Sequence, residues 1–420
     1  MFIYILIYTQ KICNLPNYPS ILSSEDSTLL ISMNKNGMQN YLQCAIKQAP
    51  KLMNKTQLPN LAFNIEIEED FPIDFNFTNI SLAKINAETS IDIKSKGFDF
   101  HNTDITFLFN WNMREATYPY VSDKGHGEIV ITGSDLHIDL NIEQDTQCLG
   151  DIAGQVKNVQ FKAKNINVGI YGGTSWIFQS ILLSLVDSLN EKLSNVIADF
   201  MKEAVILYVD SLVSSQQNYY QYPMYLNIIK DDRFTQNIQV ELNQLVFMKS
   251  GYTFSLNNLS DQFINQQMIN ALPIIKNKKQ VEYTISKAAL NNFLYIFHTY
   301  NNIYTNPSVF TVLEAPTMDL VNMNHVTLNM KIKMQNAESQ LQLKGVPILR
   351  HHTDQIDLSS IYFEFETEPE FVEVANWINK QIYESGYLIR NDVFPLDSFS
   401  VVIDADNDCI KIVGDIADCL

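Results

Sequence analysis

This 420-residue chain is short of positive charge: 29 Lys and Arg stand against 47 Asp and Glu, a formal net charge of −18. Nucleic acid is bound by Lys and Arg that displace counterions from phosphates, so that partner class is excluded. Strong attraction to an anionic membrane surface is equally disfavoured. No apolar run reaches the roughly 18–20 residues that a membrane-spanning helix needs. Walker, GxGxxG, HExxH and GxSxG loops are missing, as is any CxxC or metal-spaced Cys/His cluster. His351-His352 is read as a solvated polar loop, and Asp404, Asp406 and Asp408 as a solvated turn, so no metal site is expected. With no nucleophile, base or cofactor loop to name, the chain is expected not to be an enzyme and to need no cofactor. Cysteine is scarce and odd in number, at five; Cys409 and Cys419 flank a short apolar run and form the candidate disulfide.

What is present is an ordinary globular composition, 46% hydrophobic and 18% charged, with length for two or three cores. The most informative feature is a local pattern that occurs twice, about 250 residues apart. Leu30-Ile31-Ser32-Met33-Asn34-Lys35 leads into Met38, Tyr41 and Leu42; Glu282-Tyr283-Thr284-Ile285-Ser286-Lys287 leads into Leu290, Phe293 and Leu294. Setting Met33 on Ile285 places Asn34 on Ser286. Each copy reads as a strand end, a helix cap, and a helix with an apolar i, i+3, i+4 face.

Between and after these copies the periodicity is two. Leu61-Phe63-Ile65-Ile67, Ile105-Phe107-Phe109-Trp111-Met113, Leu136-Ile138-Leu140-Ile142 and Val159-Phe161-Ala163 each alternate apolar with polar neighbours. Such runs predict long antiparallel strands with one greasy and one wet face, in a twisted, barrel-like sheet. After Gly172-Gly173 the period becomes helical, with a long apolar stripe through Phe178, Leu182, Leu185, Leu189, Leu193, Val196, Ile197 and Phe200. Gln216 to Gln221 reads as the connection between halves. The second half repeats the plan, with strands near 326–334, 339–343, 360–365, 399–403 and 410–413. Its second helix spans Pro369 to Ser385, with Phe371, Val374, Ala375, Ile378 and Ile382 on one face and Gly386 as the stop.

The N-terminus, Met1 to Tyr8, is apolar enough for the core of a signal segment, and N-x-S/T sequons stand at Asn54, Asn76, Asn79 and Asn258. Both point to a secreted or endomembrane-lumen glycoprotein. The expected division is a leader or extension over 1–20, one domain over 21–220 and a second over 221–420, with a central sheet shared between them. The 24 Phe, 20 Tyr and 13 Met suggest inward faces not wholly filled by protein, a tube able to take acyl chains.

These segments carry a resemblance. Leu30 to Met38 resembles the first strand and helix start of the family of bactericidal permeability-increasing protein, lipopolysaccharide-binding protein, and the phospholipid and cholesteryl-ester transfer proteins. Gly127 to Ile138 resembles that family's glycine-bounded hairpin. The Ser286 helix, Asn379-Lys380-Gln381-Ile382 and Phe394-Pro395-Leu396 resemble its second-domain helix and ending, and the likeness runs in order along nearly the whole chain. The resemblance implies an α+β boomerang of two similar barrel domains. In each, a highly twisted antiparallel sheet packs one long and one shorter helix, a central sheet joins the two, and each holds a lipid pocket. The chain departs from the family twice. No Cys lies between Gly150 and Asp408 to meet Cys148 in the usual disulfide, and the overall acidity departs from the basic tips of the endotoxin-binding members.

The expectation is therefore a monomer that binds lipid, phospholipid foremost, and transfers it in transient contact with membranes or lipid particles. The nominated lining is Met38, Leu42, Ile46, Phe109, Trp111, Phe178, Leu182, Leu185 and Leu189 in the first domain. In the second it is Leu290, Phe293, Leu294, Phe297, Val374 and Ile378. The alternative is a secreted recognition protein for microbial glycolipid such as lipopolysaccharide, for which Tyr118-Pro119-Tyr120 and Lys124, in a loop between strands, are the candidate contacts.

Overall fold

The structure is a computed structural model that describes residues 27–41, 43, 60–66, 72–86, 90–94, 97–115, 121–144, 152–173, 194–199, 202, 219–222, 224–241, 243–256, 272, 274, 276, 278–335, 337–351, 358–390 and 396–416. It is an α+β fold dominated by antiparallel sheet. The chain divides into two compact units. One gathers Met1–Gly37, Ile142–Ala153 and Ser215–Ala417; the other gathers Met38–Asn141, Gly154–Ser214 and Asp418–Leu420.

The second of these units is built on a seven-stranded sheet whose longest members are Gly97–Glu115 and Ser122–Gln144. From Ile105 to Met113 the odd residues are buried without exception, as period-two patterning requires. Strands this long cannot stay flat, because each carries a right-handed twist that accumulates across neighbours. The register slips between Phe100 and Ile105, and Gly133 sits opposite that slip with φ +66, a left-handed conformation that glycine adopts without strain. Its N–H donates to Asp104 Oδ1 at 2.9 Å. Of the long helix, residues 194–199 and 202 are described as helical. There Ile197 is buried in the sheet's core while Asn195 and Asp199 are exposed, the polarity expected for this stretch.

Among the described residues the other unit holds three sheets. One is six-stranded, and in its centre Leu29–Asn34 lies antiparallel beside Val281–Ser286. These are the two copies of the repeated segment. The repeat aligns Ile31 with Tyr283, and Ile31 and Tyr283 are also direct partners in the ladder. The two copies are thus related by a local two-fold axis through that pair. Their caps match as well: Asn34 Oδ1 accepts from Gly37 N at 2.9 Å, and Ser286 Oγ accepts from Ala289 N at 3.1 Å. Each hydroxyl or amide oxygen satisfies a helix N–H that would otherwise lack a partner. On the outer flank of each copy runs a hairpin, Gln239–Glu241 with Gln244–Lys249 on one side and Leu396–Asp404 with Cys409–Ile416 on the other.

A second six-stranded sheet contains His325–Met334, Ala337–His351 and Leu358–Glu366. The helix Val372–Ser385 packs on Leu358–Glu366, preceded by a 3₁₀ turn at Pro369–Phe371. Two readings of the sequence are corrected here. His351 ends a strand, paired with Ser359, rather than lying in a loop, because the ladder with Leu358–Glu366 runs unbroken from Lys344 to His351; His352 lies outside the described residues. The stretch Tyr219–Tyr222, taken in part as a connection, forms a strand with Tyr225–Asp231 and Thr253–Ser255.

Cys409 is a free thiol, fully buried against Leu30, Val246 and Leu272, and not half of a disulfide; Cys419 lies outside the described residues. Burial, reinforced by Asp404, pushes that thiol up to about 12, so it stays protonated and inert. Asp404 pairs with Lys411 at 2.8 Å and Asp408 with Lys287 at 3.0 Å, which commits both carboxylates to cations.

The outer face of the seven-stranded sheet carries an acid-sensitive cluster. His137 lies between Asp99 and Asp139, and His101 between Asp135 at 3.2 Å and Asp92 at 3.6 Å. Partial burial raises the Asp99 and Asp135 carboxyls, but hydrogen bonds from Lys94 and His137, and from His101 and Lys164, outweigh it and hold both below 3.8. Their contribution to stability is therefore complete above about pH 4 and lost as the pH falls through the lowered values. We expect the urea midpoint to drop below pH 4 and Asp99→Asn to shrink that drop. An unchanged acid limb in the variant would refute the assignment.

Candidate functional site

In the seven-stranded unit, Phe109 and Trp111 project from Gly97–Glu115 into one cluster with Phe75, Phe77, Phe107 and Ile129. The Phe77 and Phe109 rings are 4.3 Å apart, and Phe75 lies 6.3 Å from Trp111. Trp111 Nε1 donates to the carbonyls of His126 and Tyr171 at 3.1 and 3.2 Å, so the indole is fixed at its polar edge and apolar elsewhere. Gly127 leaves room for this packing, since a Cβ there would stand 2.5 Å from Phe109 Cζ. Met38 is buried in the 35–41 helix but is not a member of that cluster. Leu42, Ile46, Phe178, Leu182, Leu185 and Leu189 lie outside the described residues, as do Asn54, Asn258 and Tyr118-Pro119-Tyr120. Asn79 is exposed at φ 52, and Asn76 donates to Asn112 Oδ1 at 3.2 Å. Lys124 is on a strand opposite Asn112, not in a loop, because Ser122–Gln144 begins earlier than its apolar alternation does.

In the other unit, Leu290, Phe293, Leu294 and Phe297 share the buried face of the Lys287–Asn301 helix, which packs on Val281–Ser286, Thr253–Ser255 and Thr317–Asn322. Val374 and Ile378 are buried on Val372–Ser385. Around the first helix stands an aromatic wall that sequence reading missed. Tyr222 meets Phe297 edge-on at 4.9 Å and Phe293 at 6.1 Å; Tyr225 meets Phe297 at 5.1 Å; Tyr387 meets Phe293 at 6.1 Å. The alternation of Tyr220 and Tyr222, both buried, was the available signal.

Behind Tyr387 lies a buried ionic network. Asp231 accepts from the backbone N–H of Arg233 at 2.9 Å and from its guanidinium at 2.9–3.2 Å. Lys230 pairs with Asp232, lies 5.0 Å from the Tyr387 ring, and Lys249 stands 4.0 Å from Asp232. Burial pushes the Tyr222, Tyr283 and Tyr387 phenols well up, with Asp232 adding to each, so all remain neutral hydroxyls. Among the described residues no group of His, Cys, Asp and Glu is arranged to hold a metal ion. Around Phe293 and Phe297 the described residues thus present aromatic rings and neutral hydroxyls.

No family model matches the chain. A putative BPI/LBP family protein of Arabidopsis thaliana, where BPI and LBP abbreviate the two proteins that head the family above, is 21% identical over 198 residues, 44% of this chain and 39% of that protein. The match thus spans well under half of that relative. A crystal structure of lipopolysaccharide binding protein superposes with a TM-score of 0.62 at 12% identity, covering 93% of this chain and 99% of that one. The resemblance to the BPI/LBP family holds in sequence and in fold. Takeout 1 of Epiphyas postvittana, 16% identical over 43% of this chain and 91% of that one, has a TM-score of 0.25, too low to bear on the BPI/LBP-like fold.

Proposed function

We propose that this BPI/LBP-like chain binds lipid in apolar pockets, one in each unit, and carries it between lipid surfaces. The supporting observation is the fold shared with lipopolysaccharide binding protein over 93% of the chain, with large apolar side chains on the inner face of each unit. Burying a methylene contributes about 0.8 kcal/mol, so two acyl chains bind tightly without any specific polar contact. Phospholipid is the first candidate ligand, and the protein acts as a monomer without catalysis, in a secreted or lumenal compartment. Among the described residues no helix is long and apolar enough to cross a membrane.

Native mass spectrometry of protein from a eukaryotic host, with lipid extraction, tests the reading. Co-purifying lipid is expected, and protein that stays lipid-free after incubation with phosphatidylcholine vesicles overturns it. The second reading, recognition of a microbial glycolipid, draws on what its structural neighbour is named for binding. It calls for saturable binding to lipid A micelles that added salt weakens. A net charge of −18 weighs against it.

A further inference from the structure

Within seven residues of chain, three side-chain atoms are buried and without hydrogen-bond partners among the described residues: His298 Nδ1, Asn301 Nδ2 and Tyr304 Oη. Buried polar groups are nearly always paired, so three orphans at one helix end call for something to satisfy them. His298 and Asn301 stand at i and i+3 on one face of Lys287–Asn301. The helix stops at Asn302, left-handed at φ 48, and Tyr304 two residues on is fully buried. The Tyr304 hydroxyl is within electrostatic reach of Tyr222 and Tyr225, whose rings wall Phe297 one turn back. The orphaned groups therefore belong to the turn of chain that directly follows Phe297.

We propose that His298, Asn301 and Tyr304 form an anchor for the uncharged polar end of a lipid, an ester carbonyl or a hydroxyl. The inference rests on the lipid-binding reading and names the ligand class for this unit. Asn301 Nδ2 donates to a carbonyl, and Tyr304 Oη either donates to one or accepts from a hydroxyl. A phosphate fits poorly. Burial keeps His298 a neutral imidazole, and the charges that act on the neighbouring hydroxyls are carboxylates, Glu384 on Tyr225 and Asp232 on Tyr222. The nearby cations Lys230 and Arg233 are paired with Asp232 and Asp231.

The full chain is incubated with phosphatidylcholine vesicles doped with dioleoylglycerol, re-isolated, and its lipid extracted and quantified. The wild type is expected to be enriched in dioleoylglycerol relative to the vesicle. Tyr304→Phe and Asn301→Ala should each lower that lipid about three- to tenfold, as loss of one hydrogen bond does, with phosphatidylcholine uptake and melting temperature unchanged. Uptake in the vesicle's own ratio, or wild-type dioleoylglycerol in both variants, overturns the anchor and leaves lipid binding standing. Uptake of neither lipid by the wild type overturns both.

Discussion

Replacing Asp231 by alanine is expected to destabilise its unit by about 3–5 kcal/mol, the usual result of removing one partner of a buried ion pair. Asp231 is wholly buried, and its two oxygens take the backbone N–H, Nε and Nη2 of Arg233. Without them, the buried Arg233 side chain keeps its charge and loses its counterion, since Arg does not deprotonate. The measurement is urea unfolding followed by circular dichroism, read as two transitions because two units need not melt together. Glu338→Ala is the control, because its partner Lys331 stays in contact with water and an exposed pair contributes little. A midpoint for Asp231→Ala as close to wild type as the control's would show that the network adds nothing.

The second large effect is expected in the seven-stranded unit. Trp111→Ala should cost about 3–5 kcal/mol, since it empties the volume of the largest fully buried side chain among the described residues and the sheet around it relaxes only partly. Trp111→Phe separates two causes. It fills much of the space but leaves the His126 and Tyr171 carbonyls without the indole N–H, a loss of about 1–2 kcal/mol. On the proposed lipid-binding reading, the alanine variant should also take up less lipid than the wild type. Equal stability of alanine and phenylalanine variants would mean that the ring's volume is immaterial.

Periodicity made much of this fold legible. The alternation from Ile105 to Met113 is reproduced residue by residue in the buried face, and the paired caps at Asn34 and Ser286 stand where the repeat put them. Of the nominated lining, Phe109, Trp111, Leu290, Phe293, Leu294, Phe297, Val374 and Ile378 are all buried, because apolar stripes report burial directly. They do not report what a stripe faces. Tyr222, Tyr225 and Tyr387 were missed because each reaches Phe293 or Phe297 from another strand, across contacts that no local pattern encodes. The buried Lys230-Asp231-Asp232-Arg233 run was equally hidden: four charges in a row read as solvated surface, and pairing at i, i+2 within the run, with Lys249 added from another strand, makes their burial tolerable.

The pairing of Leu29–Asn34 with Gln244–Lys249 and Val281–Ser286 has a consequence for biogenesis. At 5–20 residues per second, a ribosome needs about 10–40 s after making this apolar strand before its first partner exists. The outer hairpin that completes the sheet, ending at Ile416, arrives later still. Throughout that interval Leu29, Leu30, Ile31 and Met33 are a ready-made chaperone ligand and an aggregation hazard. Refolding in a test tube faces the same long-range search, so slow recovery and a strong benefit from dilution follow from one strand pair.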